Sequence, residues 1–306
     1  MKEILMEGSY THYESDVIDE LGSQYEEALN YITNIIVNYQ PLIFDELAEH
    51  LKGFGFQDGG NQSIYKTLVF KPIGKELVEA HKKIPLGISF SVGIQPKEFV
   101  RKATYRRGMG LIDLNIGLME DDVNEYNLML IEARNISPTL TSYNKLEELQ
   151  ELRERILYYI DPYLLKSTLV HEMAHWLDNV YDNNIFDATY DTAKWIWIKS
   201  EINAILHQAK YLFSVAKESF LNELTIVDIL VLLRIRRDFL GKIMLEYSKK
   251  KSGSWIDDFI KLLDNEGLKV DNLRSQDDFS LYYKMDLLGE RSVYKDYYYF
   301  LRRNIF

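Results

Sequence analysis

The chain has 306 residues and 46% hydrophobic content, so it can bury a sizeable core, and its length favours two domains. Its net charge of -11 argues against general nucleic-acid binding, and no run of residues resembles a secretory signal or a membrane span. We therefore expect a cytoplasmic protein without nucleic-acid or membrane partners. Cysteine is absent, which excludes disulfides and thiolate ligands, so histidine and carboxylate groups would bind any metal.

The N-terminal half of the sequence predicts both helices and strands. Helical patterns cover residues 17–39 and 41–52, after which four glycines between positions 53 and 60 break the periodicity. Strands are predicted over residues 63–70, 87–94 and 110–118. This mixture predicts an α+β fold for the first part of the chain.

The last of these strands has the clearest pattern, because Ile112, Leu114 and Ile116 alternate with Asp113 and Asn115. Such alternation is typical of a sheet that has one buried and one solvent-facing surface. We expect this segment to be the edge strand of the sheet.

The C-terminal half is predicted to be almost entirely helical. We therefore divide the chain into an α+β lobe, residues 1–160, which carries the sheet and its edge strand, and a helical catalytic lobe, residues 161–306. The predicted helices cover residues 144–160, 163–180, 191–213, 224–248 and 255–263.

The most informative pattern is the run His171-Glu172-Met173-Ala174-His175, which has the form HExxH. On a helix this spacing places two imidazoles one turn apart on one face, with a carboxylate beside them, as in zinc hydrolases. Asp161 and Pro162 provide an N-cap and a first helical proline for that helix. Asp178 falls on the same stripe as the two histidines, whereas apolar residues cover the opposite side.

A catalytic zinc ion usually has three protein ligands, so a third is needed. The candidate is Glu201, which follows His175 by 26 residues on the next predicted helix and projects from an apolar face. Ala204, one turn further on, would let the two helices pack closely. A metzincin is excluded, because Asp178 and Tyr181 occupy the positions where that class has glycine and histidine.

Other ligands remain open at this point. His207 points away from Glu201 on a helical wheel and is more typical of a core or surface histidine, and acidic side chains in the connecting loop are more often turn formers. Asp178 is interpreted as an outer partner that accepts a hydrogen bond from a ligating imidazole or holds the neighbouring loop. The loop candidates are Asp182, Asp187 and Asp191, and no role is assigned to His12, His50 or His81.

Taken together, HExxHxxD at positions 171–178 and Glu-x-x-Ala at positions 201–204 resemble the gluzincin branch of the zincin metallopeptidases. The pattern is most similar to the anthrax lethal factor protease domain and the bacterial MtfA-type peptidases, over about a sixth of the chain. The resemblance implies a zincin-like α+β fold, with a mixed sheet and the active-site helix in an upper lobe and a mostly helical lower lobe. It differs from thermolysin, where an acidic residue stands at the position of Ile205.

The resemblance also implies a mechanism. It indicates Zn²⁺ held by His171, His175 and Glu201, and hydrolysis of a protein or peptide substrate with Glu172 as general base. Zincins commonly add an extended substrate to a sheet edge, which would give residues 110–118 that role. A donor for the negative oxygen is also needed, and Tyr190, Tyr181 and His207 remain candidates.

Two other functions stay open from the sequence. A zincin scaffold can serve as a binding or structural module, for example in a virion or a toxin, and HExxH can activate water against a bond other than a peptide. The intact set of His171, Glu172, His175 and Glu201 argues against the first alternative, because a decayed site should have lost a ligand or the base.

Overall fold

The computed structural model of the protein describes most of its central part. The described ranges are residues 44–60, 62–70, 75–95, 103–135, 145–150, 162–181, 190–216, 225–233, 237–249 and 255–270, with single positions at 27, 30, 31, 34, 72, 152, 153, 156 and 235. The predicted helix at 17–39 lies almost wholly outside these residues, although its four described positions are helical. The chain divides into two compact units, Met1–Leu165 and Lys166–Phe306.

The first unit contains a mixed sheet of five described strands, which confirms the α+β prediction in its coarse form. The sheet order is β1-β2-β3-β5-β4, with β3 and β5 parallel and the other neighbouring pairs antiparallel. The strands are β1 (Gln57–Gly60), β2 (Ser63–Val69), β3 (Gly87–Gln95), β4 (Ala103–Arg106) and β5 (Leu111–Met119).

The alternation of apolar and polar residues in β5 gives the strand one buried face, as predicted. Ile112 and Leu114 are buried, whereas Asp113 and Asn115 are only partly buried and lie on the opposite face. The parallel neighbour β3 repeats the arrangement, because Phe90 pairs with Leu114 in the register and is also buried. One face of the sheet therefore forms the core of this unit.

The prediction that residues 110–118 form the edge strand is wrong. In the described sheet β5 lies between β3 and β4, and Ala103–Arg106 pair with the first four residues of β5. The alternation reports which face of a strand is buried and contains no information about how many neighbours the strand has. The edges of the described sheet are instead β1 and β4.

Helices accompany the sheet in this unit. Leu47, Ala48 and Leu51 are the buried residues of the first helix, which packs against β2. The described helices are α1 (Phe44–Gly53), α2 (Lys75–Lys83) and α3 (Glu120–Asn135), and residues 145–150 are also helical.

The second unit consists of helices in its described part, as predicted. These helices are α4 (Pro162–Tyr181, which starts in the first unit), α5 (Tyr190–Val215), α6 (Ile226–Leu233), α7 (Arg237–Tyr247) and α8 (Trp255–Asn265). Helix α5 packs against α6 and α7, and α7 packs against α8. Among the described helices, none combines the length and hydropathy needed to cross a membrane.

The single helix predicted over residues 224–248 is in fact two helices, α6 and α7. The first begins with a capping box, in which Thr225 N–H donates to Asp228 Oδ2 at 2.7 Å and Asp228 N–H donates to Thr225 Oγ1 at 3.3 Å. All eight residues of α6 are buried, and Ile235, after its end, donates its N–H to the Leu230 carbonyl at 3.3 Å. No glycine or proline marks this break, so the periodicity continues through it.

Candidate metal centre

The centre is built on α4, whose two sides have different chemistry. Val170, Met173, Leu177 and Val180 are each at most 5% exposed, so the apolar side of the helix is packed as the sequence pattern predicted. The helix begins at Pro162, which suits the first helical position because its missing N–H has no intrahelical partner there. This packing fixes the rotation of the helix and therefore the direction of its histidines.

The structure brings His171, His175 and Glu201 together. The Nε2 atoms of the two histidines are 3.2 Å apart. Nε2 of His171 lies 3.6 Å from Oε2 of Glu201, and Nε2 of His175 lies 3.5 Å from Oε1 of the same carboxylate. Helix α4 supplies both imidazoles and helix α5 supplies the carboxylate, so side chains from two helices form a triangle of candidate ligand groups.

The dimensions of this triangle fit a zinc ion. Zinc held tetrahedrally at about 2.0–2.1 Å from nitrogen and oxygen places its ligand atoms about 3.3 Å from one another. The two imidazole nitrogens are 3.2 Å apart, and each has a different oxygen of the Glu201 carboxylate at 3.5 or 3.6 Å, so the three side chains can close around an ion of that size. Two neutral imidazoles and one carboxylate are also a donor set that zinc prefers, and three protein ligands leave one position for water or substrate.

The electrostatics of the cluster favour a positive charge at its centre. Burial by itself lowers the pKa of His171, but attraction to Glu201 and to Glu172 outweighs burial, and the net effect raises the pKa above its usual value. Glu172 is 9% exposed, so its attraction to His171 acts in a region that water screens only weakly. Two carboxylates beside two imidazoles create a site that attracts a proton or a metal cation.

A chain of hydrogen bonds orients His175. Ser200 Oγ donates to Asp178 Oδ2 at 2.7 Å and lies 2.8 Å from Nδ1 of His175. Because Ser200 donates its only hydroxyl proton to Asp178, the serine oxygen can only accept from His175, which therefore donates its Nδ1–H. In the neutral ring Nε2 is then unprotonated and lies toward Glu201, which is the tautomer that a metal ligand requires.

Asp178 is connected to His175 through Ser200, and its predicted role as an outer partner of the metal site stays a prediction. Asn203 adds a second donor, because its Nδ2 donates to Asp178 Oδ1 at 3.0 Å. Sequence reasoning missed the roles of Ser200 and Asn203. The available signal was their position on either side of Glu201 on the same helix, since residues next to a ligand often hold the outer hydrogen bonds.

His207, the alternative ligand on α5, lies outside the cluster. Among the described residues, the only group of three or more metal-binding side chains is His171, His175 and Glu201. His207 is buried on α5, and burial, assisted by the charge of Lys210, lowers its pKa to about 4. Asp182 and Asp187 lie outside the described residues.

The remaining histidines have structural contacts. Nδ1 of His81 accepts a hydrogen bond from the Leu86 N–H at 3.0 Å, and His50 stacks on Tyr31 with ring centroids 3.3 Å apart. His12 lies outside the described residues. The oxyanion candidates Tyr181, which is 44% exposed at the end of α4, and Tyr190, the first residue of α5, stay predictions.

The chain matches no protein-family model, no curated protein and no solved structure. Three features of the molecule indicate a metal centre: the arrangement of His171, His175 and Glu201, the hydrogen bonds that orient His175, and the chemistry of the donor set.

Proposed function

We propose that the protein is a zinc-dependent peptidase of the zincin type, which hydrolyses peptide bonds in protein or peptide substrates. The observation that carries this proposal is the triangle of His171, His175 and Glu201, whose edges suit tetrahedral zinc. The mixed sheet and the helical second unit are compatible with a zincin-like fold. Glu172, held beside this triangle, supplies the additional group that hydrolysis needs.

The residues divide the chemistry among them. A bound zinc ion supplies Lewis acidity, which activates water and polarises a carbonyl group. Glu172 accepts the proton of the attacking water and later delivers it to the leaving amine, because a carboxylate beside the ligands can reach both positions. Ser200 and Asp178 hold the imidazole of His175 in the tautomer that binds the metal.

The proposal is tested by Glu172→Gln. Glutamine keeps the size of the side chain but cannot accept a proton, so turnover should fall by at least about 10²-fold to 10⁴-fold while zinc content and the melting temperature stay close to wild type. Glu132→Gln is the matched control, because it removes one negative charge from an exposed ion pair with Lys145. The assay is cleavage of an unfolded protein or a peptide library in the presence of zinc.

Three outcomes separate the proposal from its alternatives. Cleavage by wild type and by Glu132→Gln, but not by Glu172→Gln, supports the peptidase. Equal cleavage by wild type and Glu172→Gln contradicts the assigned base. A wild type that binds zinc but cleaves no peptide would replace the peptidase with a binding module, or with a hydrolase of another bond if a screen of ester and amide substrates shows turnover.

A further inference from the structure

His171, the other histidine of the candidate metal centre, differs from His175 in the surroundings of its Nδ1 atom. Nδ1 of His171 is buried and has no hydrogen-bond partner within normal distance. A buried N–H without a partner costs free energy, and histidines that bind metal nearly always donate this second N–H to an outer acceptor. The structure should therefore contain an acceptor close to this atom.

Gln208 is in a position to provide that acceptor. It is 5% exposed on α5, and its Nε2 lies 3.3 Å from Ser167 Oγ and 3.4 Å from the Leu233 carbonyl oxygen. A carbonyl can only accept, so the amide must present its nitrogen to Leu233. The oxygen Oε1 is then directed to the other side of the amide.

Gln208 lies next to the part of α4 that carries His171. Ser167, which Gln208 contacts, lies one turn before His171 on α4, so both side chains belong to the same face of that helix. Gln208 also follows Glu201 by two turns on α5 and therefore shares the face that carries the carboxylate.

We propose that Gln208 is a positioning residue of the metal centre: its Oε1 accepts a hydrogen bond from Nδ1–H of His171 and directs Nε2 of that ring toward the metal. The inference rests on the proposed zinc site and deepens it. Ser200 and Gln208 would then perform the same task for the two histidines.

The test compares Gln208→Leu, which removes both ends of the amide, with Gln208→Glu, which keeps an acceptor. Gln208→Leu should bind zinc about 10-fold to 100-fold more weakly than wild type, whereas Gln208→Glu should retain most of the affinity. Asn179→Leu, which also removes a buried amide but from a residue 3% exposed elsewhere on α4, is the control for a general loss of packing. Affinity is measured by competition with a chromophoric chelator.

A second readout follows the ring itself. In ¹⁵N NMR spectra of the zinc-loaded wild type, His171 should show a protonated Nδ1 that exchanges slowly with solvent and lies close to the Gln208 side chain. This protected signal should be lost in Gln208→Leu and persist in Gln208→Glu. If the variants do not fold, the wild-type spectrum decides, because an unprotonated or rapidly exchanging Nδ1 would overturn the assignment.

The outcomes distinguish this inference from the proposed function. Unchanged zinc affinity and an unchanged Nδ1–H in Gln208→Leu would overturn the role of Gln208 while leaving the zinc site intact. An equal loss of affinity in Asn179→Leu would also overturn it, since the effect would then be one of packing. A wild type that takes up no zinc would remove the site and the role of Gln208 together.

Discussion

His207 should make the protein less stable in acid, by an amount that follows from its burial. The side chain is 7% exposed on α5, and its pKa is lowered to about 4. Burial is the main cause, because it disfavours the charged imidazolium, and repulsion from Lys210 adds to it while Glu266 partly compensates. The folded protein therefore keeps His207 neutral at pH values where an unfolded chain would protonate it.

The sign and the size of the effect follow from proton linkage. The unfolded chain has a histidine pKa of about 6.5, above the folded value, so acid favours the unfolded state. The stabilisation is fully present above pH about 6.5 and is lost as the pH falls toward 4. Between neutral pH and pH 4 His207 alone should lower the free energy of unfolding by about 3 kcal/mol.

The perturbation is His207→Gln, which keeps a polar side chain of similar reach but cannot take up a proton. Urea unfolding is measured for wild type and variant at several values between pH 7.5 and pH 4, with a chelator present so that metal release does not contribute. The difference in unfolding free energy between the two proteins should shift by about 3 kcal/mol over this range, in favour of the variant in acid.

Parallel pH profiles for the two proteins would refute the reasoning, because they would show that His207 titrates equally in the folded and unfolded states. The same variant also checks the ligand assignment. His207→Gln should bind zinc as tightly as wild type, and a loss of zinc would move the third ligand from Glu201 to His207.

Three further predictions concern the metal centre. Protein purified without added metal should contain about one zinc per chain by elemental analysis, because the cluster offers three N and O ligands, and a chain that also fails to take up zinc on titration would refute the site. Glu201→Ala should lose most of its zinc affinity in the chelator competition assay, since only two ligands remain; wild-type affinity would exclude Glu201. Ser200→Ala should weaken zinc binding about 10-fold to 100-fold and lower the free energy of unfolding by about 1–3 kcal/mol, because it removes the hydrogen bonds that Ser200 makes with His175 and Asp178. Calorimetric titration and urea unfolding measure both effects, and a silent Ser200→Ala would mean that the hydrogen-bond chain has no role.

The parts of the molecule that the sequence predicted well are those with a strict period. His171 and His175 are one turn apart, so any helix over this segment must bring them together, and buried Val170 and Met173 fix its rotation. Glu201 could be anticipated because a carboxylate on an otherwise apolar helix face needs a partner. The alternation in β5 similarly predicted its buried face.

Other features lack a local signal. Strands β1 and β4 have four residues each, too few to show a period, and without β4 the position of β5 in the sheet could not be known. The break between α6 and α7 contains no glycine or proline and depends on tertiary packing. The role of Ser200 appears only when α4 and α5 are placed side by side, because a serine on a helix has no preferred partner in the sequence.

Because its donor set contains no sulfur, metal binding at the candidate metal centre should be insensitive to mild oxidants. Zinc sites with thiolate ligands release their metal when sulfur is oxidised, whereas the imidazoles and the carboxylate here undergo no such reaction under mild peroxide or disulfide stress. The sulfur nearest in sequence to the ligands belongs to Met173, which is 1% exposed and so shielded from reagents in solution. Metal occupancy at this centre should therefore follow acidity and free zinc concentration, and remain constant when the redox potential of the surroundings changes.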